Sequence, residues 1–231
     1  MAVQTVSGWD ATHSGLPGAP KAGQAAGYIT GSPDIVWTAS DRVAHPGFVQ
    51  IDQSPVITAV DVRADVFDVE SGAVTVAEVA QVVRAGQAAF NAAARPGQRW
   101  PAVYCSRSNV TQIANALLAG GVMSCPLWVA DWNNNLAQAT AEVAAGSGPF
   151  PVVGRQYANL AAYDADVFSV PWLTHVSGPH PAGTPSPPPG QWKDPGEWAW
   201  QQAAIIGKGL DGNMHAFVFD PAAGAWVRVI G

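Results

Sequence analysis

The chain has 231 residues, a formal net charge of −6 with eleven Lys plus Arg, and 48% hydrophobic against 12% charged residues. That length buries a sizeable core, and the composition is far from the low-hydrophobicity, high-charge balance of disordered chains. Eleven scattered basic residues argue against nucleic acid as a partner, and no stretch reaches the roughly twenty uninterrupted apolar residues of a membrane span.

Short apolar runs alternate with helical patterns, as in a parallel sheet wrapped by helices. Strands are expected at 3–9, 47–52, 64–69, 101–105, 126–131 and 151–157. The segment 75–94 carries apolar residues at three- and four-residue spacing, opens with Thr75 and Glu78 as a capping box, and stops before Arg95-Pro96-Gly97. Segments 109–119 and 135–145 read as two further helices, with Asn133-Asn134-Asn135 as the loop and N-cap of the second. Cys105 closes one apolar run and Cys125 opens the next. In a β-α-β unit those positions lie at opposite ends of neighbouring strands, roughly 10 to 15 Å apart, so two free thiols are expected.

After Trp172 the composition changes. Residues 177–191 are dominated by Pro, Gly and Ser and read as an extended linker, which divides the chain into a barrel domain (1–176) and a module (192–231). The module carries Trp192, Trp198, Trp200 and Trp226. Its last residues alternate apolar and polar on both sides of Asp220-Pro221-Ala222-Ala223-Gly224, a hairpin signal, and Asp211-Gly212 marks a second turn. The pattern resembles a single blade-like repeat of the β-propeller lectins. One copy cannot bury its own apolar face, so the module is expected to pack on the barrel as a structural tail, to serve assembly in a homo-oligomer or with a virion partner, or to adhere to glycan.

The run 64–72, ADVFDVESG, is the most informative. On a strand Val66, Asp68 and Glu70 share one face and Asp65, Phe67 and Val69 the other. Two acids side by side at the C-terminal end of a barrel strand raise one another's pKa, so that one holds a proton while the other is ionised, as glycosidic cleavage requires; acids that merely face solvent are the alternative. His13, His45, His175, His180 and His215 show no metal-ligand spacing, so neither a metal nor a cofactor is expected.

The segments VSGWDAT (6–12), FDVES (67–71), PAVYCS (101–106), LWVADW (127–132), RQY (155–157) and YDADVF (163–168) stand in the order of the strand-end motifs of family 25 glycoside hydrolases, the lysozyme-type muramidases, and the chain resembles that family over about 165 residues. The resemblance implies an α/β fold, a (β/α) barrel of TIM type. It implies Glu70 as general acid, Asp68 as the partner that stabilises positive charge or an intermediate, and Asp10 and Asp164 as supporting acids. Tyr104, Trp128, Tyr157 and Trp132 would be substrate-binding wall residues. Three features depart from the family pattern: the Asp10-to-Asp68 spacing is short, implying a β-α unit reduced or missing, Arg155 stands where Trp is usual, and Asp166 where Asn is usual. The implied substrate is peptidoglycan or another cell-wall glycan, with a non-catalytic virion, tail or host-adhesion protein as the alternative. The first residues, MAVQTVSGWDATHSG, lack the basic and apolar segments of a secretory signal. The expectation is therefore a phage-associated protein that resides in the host cytoplasm before release, or is virion-associated or extracellular.

Overall fold

The computed structural model describes residues 2–95 and 97–174 with their side chains, together with the backbone of 204–208, 214–220 and 225–230. The chain divides into two compact units, Met1–Ser177 and Gly178–Gly231. The linker expected at 177–191, Trp192, Trp198 and Trp200 lie outside the described residues.

In the first unit eight strands close into a barrel in chain order: β1 (Thr5–Ala11), β2 (Gln24–Tyr28), β3 (Val49–Asp52), β4 (Val66–Asp68), β5 (Ala102–Ser106), β6 (Leu127–Ala130), β7 (Val152–Asn159) and β8 (Asp164–Ser169). Strands β1 to β7 run parallel to one another, and β8 runs antiparallel to both β7 and β1. The fold is thus a mixed α/β barrel, and the all-parallel arrangement expected of the TIM type gives way at β8. The cause is local: residues 160–163 join β7 to β8, far fewer than the dozen or so needed for a parallel crossover.

The helices are α1 (Ala39–Ala44), α2 (Val79–Ala93), α3 (Val110–Ala119), α4 (Leu136–Ala144) and α5 (Val170–Thr174). Only short 3₁₀ turns, His13–Gly18 and Ile57–Ala59, lie between β1 and β2 and between β3 and β4. The short spacing from Asp10 to Asp68 is therefore a loss of helix, since β2 and β3 are both present between them. Helix α2 begins one turn later than expected, yet Glu78 accepts from Thr75 Oγ1 at 2.7 Å and from Thr75 N at 3.3 Å ahead of its first turn. Asn135 caps α4 by accepting from the Gln138 backbone at 3.0 Å.

The apolar face of α2, with Val79, Val82 and Val83, packs with Leu117 of α3 onto Phe67, Val69, Val103 and Val129, the outward residues of the sheet. Burying each such side chain stabilises the layer by about 1.5 to 3 kcal/mol. The inward residues Ala26, Val49, Ile51, Val66, Ala102, Tyr104, Trp128 and Phe168 form a second core, joined by Trp172 of α5. Trp128 meets Tyr104 and Phe168 edge-on, with centroids 5.2 and 4.9 Å apart. Its bulk dictates its neighbour on β7: a Cβ on Gly154 would lie 2.7 Å from Trp128 Cγ. Cys105 and Cys125 are free and buried, and burial pushes the Cys105 thiol up to about 12.

In the second unit β9 (Ala204–Lys208), β10 (Met214–Asp220) and β11 (Ala225–Ile230) form an antiparallel sheet in the order β11-β10-β9. The β10–β11 pairing, with Asp220 opposite Ala225, is the hairpin expected around residues 220–224.

Candidate functional site

The parallel strands bring their C-terminal ends to one rim, and this rim gathers the acids. Asp10 lies near the end of β1, Asp68 ends β4, and Glu70 stands in the turn that follows it. Asp164 opens β8 rather than closing a strand. Because β8 is antiparallel, its first residue lies opposite Asp10 in register and reaches the same rim. The expected four acids therefore converge, and Asp166 joins them one inward position deeper on β8, buried with no exposed surface. The described ion pairs engage Asp41, Asp61, Asp65, Asp131 and Glu142, and none involves these five acids.

Gln156 of β7 organises the group. Trp132 Nε1, a donor only, reaches Gln156 Oε1 at 2.8 Å, which fixes the amide's orientation. Tyr104 OH donates to the same oxygen at 2.7 Å. The amide nitrogen then donates to Asp10 Oδ2 at 2.7 Å and to Asp164 Oδ2 at 3.0 Å, so its hydrogen-bonding capacity is filled. Deeper in the barrel, Trp128 Nε1 donates to Asp166 Oδ1 at 3.0 Å.

Burial without cations shifts every acid upward. Asp68, 5% exposed, is pushed to about 8, by burial first and then by the charges of Glu70, Asp10 and Asp52. Burial and the charge of Asp164 lift Asp10 to about 7, against hydrogen bonds from Asp166 and Gln156 that lower it. Burial, with Glu70 second, lifts Asp164 to about 6. Burial alone lifts Glu70, which is only half-buried. The last proton of the Asp68 and Glu70 pair thus rests on the deeper member, Asp68, and Glu70 is the more exposed of the two.

The expected wall residues fall into three positions. Tyr104 and Trp128 lie under the acids as the floor of the site, hydrogen-bonded to Gln156 and Asp166. Trp132, 54% exposed, presents a ring at the rim while its nitrogen is held by Gln156. Tyr157 packs with Ala139, Val143 and Val167 between β7 and α4, outside the hydrogen-bonded cluster. Arg155, also outward, pairs with Asp131 at 2.8 Å and Glu142 at 2.6 Å and ties β7 to α4. No local pattern marked Gln156, Tyr28 or Asp52 as site residues, although Gln156 lies within the RQY segment. Tyr28, whose hydroxyl is raised by burial and by the charges of Asp10, Asp68, Glu70 and Asp164, marks the β2 wall. Asp52 holds the rim loop after β3 by accepting from Thr30 Oγ1, Ser54 N and Asp61 N.

Among the described residues, no group of His, Cys, Asp and Glu has the arrangement of a metal site, and no helix is long and apolar enough to cross a membrane. No family model, curated protein or solved structure matches this chain.

Proposed function

We propose that the barrel, in its resemblance to family 25 enzymes and the TIM-type fold they imply, is a phage-associated glycoside hydrolase of the muramidase type that cleaves bacterial cell-wall glycan. The observation that carries this reading is the convergence of Asp10, Asp68, Glu70 and Asp164 on one rim, unpaired by cations, with Gln156 bridging Asp10 and Asp164. Acid-catalysed cleavage needs a carboxyl that keeps its proton near neutral pH beside others that stay ionised. The Asp68 and Glu70 pair supplies the first, and Asp164, near 6, with Asp10, near 7, supplies the second as pH rises through neutrality.

A glycan chain covering the rim excludes water from Glu70 and raises its proton affinity further. The pair's proton then passes to the glycosidic oxygen from Glu70, with Asp68 as its partner. As the bond to the leaving sugar breaks, positive charge grows at the anomeric carbon and the carboxylates of Asp68, Asp10 and Asp164 stabilise it, until a water adds at that carbon and gives its proton back to the Glu70 carboxylate. The exposed face of Trp132 offers a sugar a stacking surface at the rim.

The test is release of reducing sugar from purified peptidoglycan by wild type and Glu70→Gln side by side. Activity lost in the variant supports the assignment. Equal signals remove Glu70 from catalysis, and no release by either leaves the barrel as a scaffold.

A further inference from the structure

Asp166 poses a problem of hydrogen-bond accounting. Its Oδ1 accepts from Trp128 of β6, while its Oδ2 is buried and meets no donor. Both hydrogens of the Gln156 amide are committed to Asp10 and Asp164. Tyr157, the titratable side chain of β7 that acts on Asp166 electrostatically, packs towards α4. The remaining titratable neighbours are Asp164 on the same strand and Asp10 on β1, which pairs with Asp164 in register and so stands diagonal to Asp166 on the inward face. Two inward carboxyl groups on adjacent strands with no donor between them are stabilised when one of them keeps its proton.

We propose that Asp166 is a positioning residue that stands in the folded barrel as a neutral carboxylic acid, donating its own proton to Asp10 and holding the negative charge on Asp10 at the rim. The surroundings decide which partner keeps the proton. Asp10 receives a second hydrogen bond from Gln156 and stands at the site, so its anion is stabilised. Asp166 has no exposed surface and only the neutral indole donor. The direction of the shifts agrees, since burial and the charge of Asp10 hold Asp166 well above the ordinary carboxyl value. The proposal rests on the glycosidase reading only for its catalytic consequence, which is that Asp10 stays ionised at the reacting sugar while the acid behind it does not.

The test is a carboxyl-carbon NMR titration of protein labelled at aspartate, without substrate, on wild type, Asp166→Asn and Asp166→Leu. In wild type the signal that vanishes in Asp166→Asn should keep the shift of a protonated acid through neutral pH while Asp10 titrates below it. Asn restores a donor at the same place, so Asp166→Asn should leave the Asp10 midpoint unmoved. Leu removes the donor and should raise that midpoint by about one to two units. An Asp166 signal that is already a carboxylate at acidic pH would overturn the proposal. So would a fall of about one unit or more in the Asp10 midpoint in Asp166→Asn, because that is the mark of a removed negative charge. If Asp166→Leu does not fold, wild type and Asp166→Asn still decide. Because no glycan enters the measurement, failure of the hydrolase reading and failure of this proposal are separate results.

Discussion

Replacing Asp68 by Asn removes one buried acid while keeping its shape, and the consequence is a change in how stability depends on pH. Asp68 is 5% exposed, its Oδ1 meets no donor, and its midpoint rises from 3.8 to about 8. A carboxyl whose folded midpoint lies above its unfolded one binds more protons in the native chain across that interval. Its contribution is therefore fully present below about pH 4 and is lost as pH rises towards 8. At about 1.4 kcal/mol per unit, the shift corresponds to a loss on the order of 5 kcal/mol, part of it shared with Glu70 and Asp10. Asn cannot ionise and escapes the loss. The variant should match wild type near pH 4 and exceed it by several kcal/mol near pH 8. Urea unfolding followed by tryptophan fluorescence from acid to mildly alkaline pH, compared at equal m-value, measures this directly. Parallel stability profiles for the two proteins would refute the reasoning, since they would mean that the Asp68 carboxylate is not desolvated.

On a soluble cell-wall glycan, kcat/KM should follow a bell. Its acid limb is set by protonation of Asp164 near 6 and Asp10 near 7, and its alkaline limb by loss of the last proton of the Asp68 and Glu70 pair near 8; a flat profile across those limits contradicts the proton assignments. Gln156→Leu strands Tyr104 OH and removes a donor from each of two carboxylates, and should cost about 2 to 5 kcal/mol in thermal unfolding. A loss below about 1 kcal/mol would show that the amide does not hold the cluster together.

Much of the barrel was legible because its signals are local. Strands 47–52, 64–69, 101–105, 126–131 and 151–157 are apolar runs bounded by turns, and each overlaps an observed strand. The periodicity of 75–94 and the Asn135 cap are likewise written in neighbouring residues. Alternation alone put Asp68 and Glu70 on a different face from Asp65, whose side chain is taken up by Arg95 and Arg99. Strand β2 escaped because Gln24-Ala25-Ala26-Gly27-Tyr28 has no β-branched residue. Its small side chains are required by a distant one, since a Cβ on Gly27 would lie 2.1 Å from the Trp37 ring.

The periodicity of the elements, the strand-end position of the DxE acids and the break after Trp172 are all written in neighbouring residues. The direction of β8, and with it the site, came from closure of the barrel. A strand's own residues do not encode whether its neighbours run parallel, and here the four-residue turn after β7 reverses the chain. That reversal sets Asp164 opposite Asp10 and Asp166 opposite Gln156. Proton affinities follow the same rule: a carboxyl's charge depends on the solvent, donors and anions that closure of the barrel places around it, and for Asp10 and Gln156 the hydrogen-bonded partners are 146 residues apart in the chain.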